Sequence, residues 1–361
     1  MRQLILTLLF LALPYQVFAQ ADIGGFAAAV TDETGTLKTV VHGPADPESS
    51  QSVTSDTVFH IASLSKQITG AALAMAIRDG QLTLDDPVSR HIPEARHYGD
   101  SLTIAHLLYF TSGLTEAYDL PRKSGLPWST HYYFTVDEAI ATSLTVPDLQ
   151  FQPGSEWRYN NINFQLIAEI VERTYDMPFS DFVAQRIFQP LGMTHSLVND
   201  DITRIIPNRA NGIVPRTAEN IAQLRAVGLD VSSGGGPILI RRNAPHYGGS
   251  GVMTTISDWM IWQREMLTHD TFGDCFWKLM FSTRKFEHPK HNDAFGLVHG
   301  HFLTHAIVWF AGGDIDASSY MLAAPEIGMG AACFSNQPGF NCRAEAERLL
   351  AEAAKQKSHI Q

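Results

Sequence analysis

The strand-forming segments of this chain lie at its two ends, and that distribution limits the fold more than any other feature. Near the N-terminus, residues 25–30 and 37–42 are β-rich and are separated by Thr31-Asp-Glu-Thr-Gly35, which reads as a hairpin. Near the C-terminus, residues 294–298, 304–310, 318–324 and 328–334 are four more short β-candidates, with Gly312-Gly313 and Pro325-Glu326 among the turn residues between them. The stretch between the two ends is helical in character. From Ser63, Ile68, Ala71, Ala72, Met75 and Ala76 recur at helical spacing until Asp79-Gly80, and further helices are expected over 163–175 and 182–188. A last helix is expected over 341–355. The arrangement implies an α+β fold in which one antiparallel sheet is assembled from both termini, flanked by helices, with a helical lobe formed by the middle of the chain.

Composition narrows the class. At 361 residues, 45% hydrophobic and 17% charged, the chain suits one large globular unit and excludes a disordered or coiled-coil protein. Its net charge of -11 lacks the basic footprint of a nucleic-acid binder and would be repelled by an anionic lipid surface. Arg2, an apolar run over 4–13, Pro14 and the closing Val17-Phe18-Ala19 read as a signal peptide over 1–19, cleaved after Ala19, so a periplasmic or secreted protein with no stable membrane insertion is expected. Three cysteines permit at most one disulfide. Cys333 and Cys342, near each other across Pro338-Gly339, are the pair to consider, and three unpaired thiols fit equally well.

The segment with the strongest chemical content is Ile61-Ala62-Ser63-Leu64-Ser65-Lys66. Residues i and i+3 share a helix face, so an amine at Lys66 can approach the Ser63 hydroxyl and act on its proton. The helix start adds partial positive charge and free N–H groups beside any oxyanion formed there. The apolar helix behind Lys66 would lower its basicity toward that of a working base. Ser282 and Lys285 repeat the spacing in a polar stretch with no apolar helix behind it, and are read as a coincidence.

Residues 59–66, Phe-His-Ile-Ala-Ser-Leu-Ser-Lys, resemble the nucleophile motif of the β-lactamase-related serine hydrolases, a family that includes class C β-lactamases, D-alanyl-D-alanine carboxypeptidases, D-aminopeptidases and esterases. Tyr159-Asn160-Asn161 resembles the family's Y-x-N element, following a Pro-Gly turn and preceding an amphipathic helix. Residues 104–114, 187–194 and 248–253 are also similar to family segments. The resemblance implies one hydrolase domain over 22–355 with a β-lactamase and penicillin-binding-protein-like fold. It implies Ser63 as acylated nucleophile, Lys66 as its activator, Tyr159 as second base or proton relay, and Asn161 as the amide that holds Lys66 and a substrate carbonyl. No metal or cofactor is required by such chemistry, and the partner is a small-molecule ester, amide or peptide substrate.

One element departs from the family pattern. Where relatives carry Lys-Thr-Gly or His-x-Gly, this chain has Phe310-Ala311-Gly312-Gly313. The glycines allow the Gly313 N–H to join that of Ser63 in an oxyanion hole, but the cation that would bind a substrate carboxylate is replaced by Phe310. An esterase or amidase acting on neutral substrates is therefore expected. The alternatives are a D,D-peptidase or β-lactamase acting on cell-wall peptides or β-lactams, and a non-catalytic relative. Arg241, Arg242 and Lys285 are cations that could compensate, although the sequence does not position them. His299, His301 and His305 share a strand face without a cysteine or carboxylate pattern beside them, and are read as solvated rather than metal-binding.

Overall fold

Ala27, Ala28, Ala29 and Val30 are all fully buried, which requires packing on both faces of the strand that carries them. That strand, β1 (Phe26–Asp32), forms a hairpin with β2 (Gly35–His42). The computed structural model describes residues 23–119, 135–226, 228–242, 245–290 and 292–358; residues 1–19, read above as a signal peptide, lie outside them. The C-terminal strands are β3 (Val298–Phe302), β4 (His305–Asp314), β5 (Ala317–Ala324) and β6 (Met329–Ser335). They complete a six-stranded antiparallel sheet in the order β3-β4-β5-β6-β1-β2, with Phe26 opposite Ser335 where the two chain ends meet. The expectation of one sheet from both termini holds.

Small side chains on β1 let a helix lie close on either face. The helix from Ile256 to Thr268 covers one face, capped at its start by Thr255. The C-terminal helix Cys342–Ser358 covers the other. Ala27 and Ala29 belong to the larger core shared with the helical lobe, Ala28 and Val30 to a smaller one with Cys342, Ala346 and Leu349. Cys333 and Cys342 face each other there with Sγ atoms 3.0 Å apart and are not joined; Cys275 is exposed.

The helical lobe centres on α1 (Ser65–Arg78) and α2 (Asn161–Tyr175), which pack together. Among the described residues, no helix is long and apolar enough to cross a membrane.

Three sequence expectations shift. The strand expected over 294–298 begins only at Val298, because residues 294–297 turn against α1: a Cβ on Gly70 would meet the Phe295 carbonyl, and one on Gly296 the backbone of Lys66. Gly312-Gly313, expected in a turn, lie within β4 opposite Ser319 and Ser318. The helix expected to end before Pro190 starts at Phe179 and continues through a π-turn into Gln189–Leu191, where Pro190 falls near the start of a helical turn and has no N–H to leave unpaired.

Candidate active site

The turn that presents Ser63 is pinned from three directions. Ala62 adopts a left-handed conformation, φ 47°, which a residue with a Cβ takes only when its surroundings hold it there. Those surroundings are explicit. Ser65 Oγ donates to the Ala62 carbonyl at 2.7 Å and accepts from the Val252 N–H at 3.0 Å. Ser319 Oγ on β5 donates to the Ile61 carbonyl at 2.7 Å. A Cβ on Gly312 would lie 2.6 Å from that same carbonyl and 2.9 Å from the Ser63 nitrogen, so β4 passes the Ser63 turn at a distance only glycine permits. Ser63 itself is half-buried and within reach of solvent.

Lys66 follows in the first turn of α1 and is completely buried. Its Nζ donates to Ser63 Oγ at 3.3 Å, to Asn161 Oδ1 at 2.9 Å and to the Gly249 carbonyl at 2.5 Å. All three ammonium protons therefore have an acceptor. Burial nonetheless pulls the amine down to about 7, assisted by the Arg242 charge and opposed by Glu116 and Asp314. Near neutral pH a large fraction of Lys66 is the free amine, which a base must be. On the other side of Ser63, the Tyr159 hydroxyl lies 2.8 Å from Ser63 Oγ. The Tyr159 ring stacks on Phe110 with centroids 5.0 Å apart and passes 4.9 Å from Lys66 Nζ.

Asn160 and Asn161 divide two tasks that the sequence leaves open. Asn160 caps α2, its Oδ1 accepting from the Ile162 N–H at 2.8 Å, while its amide donates to the Leu114 carbonyl at 2.8 Å. Asn161 is the first helical residue, free of the capping duty, and its side chain meets Lys66. Two residues past Leu114 the chain supplies a residue not anticipated from sequence, Glu116. Its Oε2 accepts from the Asn161 backbone N–H at 2.7 Å and from the Asn161 amide at 3.3 Å. Burial is the main influence on its carboxyl and pushes it up to about 7. Glu116 lies two residues past the end of the family-like segment 104–114, and no local sequence signal marked it.

Phe310 is buried in the main core, on the same face of β4 as Gly312. Of the three cations weighed from sequence, Arg241 and Lys285 are exposed. Arg242 lies beside β4, its Nε donating to Asp314 Oδ2 at 2.6 Å, and is near enough to act on Lys66. Ser282 donates to the Leu279 carbonyl and Lys285 points to solvent, so the second S-x-x-K spacing forms no site. His299 bonds to the Phe281 carbonyl and His301 is exposed. Among the described residues, the histidine and carboxylates close enough to share a ligand are His60, Asp314 and Asp316, already engaged by one another and by Arg242.

The sequence matches the Beta-lactamase family over residues 15–355. Esterase EstB of Burkholderia gladioli is 32% identical over 192 residues, 49% of this chain and 48% of that protein. A β-lactamase of Pseudomonas fluorescens is 26% identical over 245 residues, covering 66% of this chain and 58% of that one. The chain thus spans about half the length of these curated relatives. In structure it superposes on D-amino acid amidase from Ochrobactrum anthropi SV3 with a TM-score of 0.75 and 20% identity, covering 93% and 95% of the two chains. A penicillin-binding protein homologue from Pyrococcus abyssi gives 0.73 and 21%, covering 92% and 74%. At such identities the likeness is one of fold, and it is the fold described here: a sheet built from both termini against a helical lobe. With the family match extending over nearly all of its length, this chain belongs to the Beta-lactamase family, whose members are serine acyl-transfer hydrolases.

Proposed function

We propose that the protein is an exported serine hydrolase that works through an acyl-enzyme on Ser63, with neutral esters or amides as substrates. The observation that carries the reading is the Lys66 amine, fully buried and lowered to about 7, 3.3 Å from Ser63 Oγ. In the forward step Ser63 Oγ attacks the substrate carbonyl carbon and gives its proton to the Lys66 amine. The carbonyl oxygen takes up the negative charge, with the backbone N–H groups of Ser63 and Gly313 as its donors. Tyr159, 2.8 Å from Ser63 Oγ, conducts a proton to the departing alcohol or amine. Water then attacks the acyl-enzyme, loses its proton to the same base, and Ser63 is regenerated. Asn161 keeps the Lys66 amine aligned and offers its amide to the substrate carbonyl side.

Phe310 in place of a cation supports uncharged substrates, as does the engagement of Arg242 by Asp314. The relative EstB, an esterase by name, agrees with that preference. A second reading, a D,D-peptidase or β-lactamase, has Arg242 in its favour, since a cation beside β4 could receive a carboxylate if Asp314 released it. A side-by-side labelling experiment decides. Wild-type protein should gain the mass of a fluorophosphonate on Ser63, remain unlabelled by a fluorescent penicillin, and hydrolyse a chromogenic short-chain ester, all of it lost in Ser63→Ala. Penicillin labelling would favour the second reading, and absence of both labels and of turnover would mark a non-catalytic relative.

A further inference from the structure

Asp316, His60 and Ser250 form a continuous chain of buried hydrogen bonds. His60 Nδ1 lies 2.8 Å from Asp316 Oδ1, and His60 Nε2 lies 2.8 Å from Ser250 Oγ. The three residues are 6%, 8% and 4% exposed. Carboxylate, imidazole and hydroxyl stand in the order used by serine proteases to activate a nucleophile. Here the hydroxyl is enclosed in the protein, so the arrangement can fix an atom in place but cannot attack a substrate.

What it fixes follows from where its members sit in the chain. His60 ends the short strand Phe59–His60 and leads directly into the Ser63 turn. Ser250 follows Gly249, whose carbonyl accepts from Lys66 at 2.5 Å. Asp316 lies in the turn between β4, which carries Gly312 and Gly313, and β5, which carries Ser319. It is held there from behind, since a Cβ on Gly212 would overlap it. The chain therefore joins the nucleophile turn, the acceptor for the lysine and the strand of the oxyanion donors, segments far apart in sequence. We propose that Asp316, His60 and Ser250 are positioning residues for the Ser63 site, holding the Gly249 carbonyl under Lys66; the inference rests on Ser63 being the nucleophile.

Charged groups pack around the relay from several elements. Arg242 and Arg209 face Asp316, and with His60 they hold its carboxyl below the usual carboxylate range against the effect of burial. Asp314 approaches from β4 and is balanced by Arg242. The two ring nitrogens of His60 are thus each engaged, Nδ1 by the Asp316 carboxylate and Nε2 by the Ser250 hydroxyl, which fixes the orientation of the ring.

The test uses Ser250→Ala, His60→Gln and Asp316→Asn in the full chain. Readouts are the rate of fluorophosphonate labelling at Ser63, kcat and KM on a neutral chromogenic ester from pH 5 to 9, and the thermal midpoint. Outer hydrogen-bond partners of a site are commonly worth about 10- to 100-fold, so labelling and kcat should fall by that factor with KM within about twofold. The acid limb of kcat/KM should move by roughly half a pH unit as Lys66 loses its fixed acceptor. The double variant S250A/H60Q should be no worse than H60Q alone, as for members of one unit. Ser250→Ala removes a single oxygen and decides the matter if the other variants fail to fold. Wild-type labelling, kcat and pH profile in folded Ser250→Ala would overturn the proposal, as would additive losses or a fluorophosphonate found on Ser250. An unlabelled, inactive wild type would instead overturn the Ser63 reading and the relay with it.

Discussion

Glu116 accepts a hydrogen bond from the Asn161 backbone N–H at 2.7 Å and another from its side-chain amide at 3.3 Å, which turns the amide oxygen toward Lys66 Nζ, 2.9 Å away. One carboxyl thus satisfies a free N–H at the start of α2 and orients the residue that grips the lysine. It also acts on Lys66 across that bridge, raising the basicity that burial lowers. The Tyr118 backbone also acts on this carboxyl, lowering it against the effect of burial.

Replacing Glu116 by glutamine keeps an acceptor for Asn161 and removes the charge. Lys66 then loses a group that raises it, so the acid limb of kcat/KM for a neutral ester should move to lower pH, with the plateau within about tenfold of wild type. Leucine at the same position removes the acceptor as well, and the plateau should fall by on the order of 100-fold. Equal pH profiles for wild type and Glu116→Gln would show that the carboxyl is only a helix cap.

Lys66 and Glu116 should also leave opposite marks on stability. The lysine is about 7 when folded against 10.5 in its ordinary state, so between those values the unfolded chain holds the extra proton and stability rises with pH. The carboxyl is about 7 when folded against 4.5, so between 4.5 and 7 the folded chain holds it and stability falls as pH rises. Chemical denaturation across pH 4 to 10 tests both. The advantage of wild type over Glu116→Gln should shrink from pH 4.5 to 7, and its standing against Lys66→Met should improve from pH 7 to 10, each by on the order of 1 kcal/mol per pH unit.

The Arg242 and Asp314 pair offers a separate handle on the same lysine. Arg242 lowers Lys66 and Asp314 raises it. Arg242→Gln should therefore shift the acid limb of ester hydrolysis to higher pH and Asp314→Asn to lower pH, each by roughly half a unit. Asp314→Asn also releases the guanidinium. If Arg242 is the latent carboxylate receptor, this variant alone should gain labelling by fluorescent penicillin.

Sequence carried much of this architecture because its signals were local or repetitive. The Ser63 to Lys66 spacing on an apolar helix, Tyr159 to Asn161 before another, and strands at both ends could be read without knowing what touches what. The residues that escaped are those whose role is created by long-range contact. Glu116 lies 45 positions from Asn161, and His60 is joined to Asp316 across 256; nothing local marks them. Residues 294–297 failed as a strand for the same reason, since their β-like composition says nothing of the α1 backbone they must pass. The helix over Ile256–Thr268, with Trp259 and Trp262 wholly buried, lacks a clear polar face, and periodicity is weakest where a helix is enclosed.

Gly312 tests how closely β4 must approach the Ser63 turn. An alanine Cβ there would strike Ser319 Oγ, lie 2.6 Å from the Ile61 carbonyl and 2.9 Å from the Ser63 nitrogen. The first contact is with a side chain that can rotate, at the cost of its 2.7 Å bond to Ile61; the other two are with backbone already held in the Ala62 turn. Gly312→Ala should therefore cost about 1–3 kcal/mol in stability, as overpacking does, and slow fluorophosphonate labelling of Ser63 by more than tenfold as its N–H is displaced. Adding Ser319→Ala relieves only the rotatable contact, so the double variant should recover little of the labelling rate. Full recovery would mean that β4 holds the Ser63 turn through the Ser319 hydroxyl alone and that the close backbone approach is dispensable.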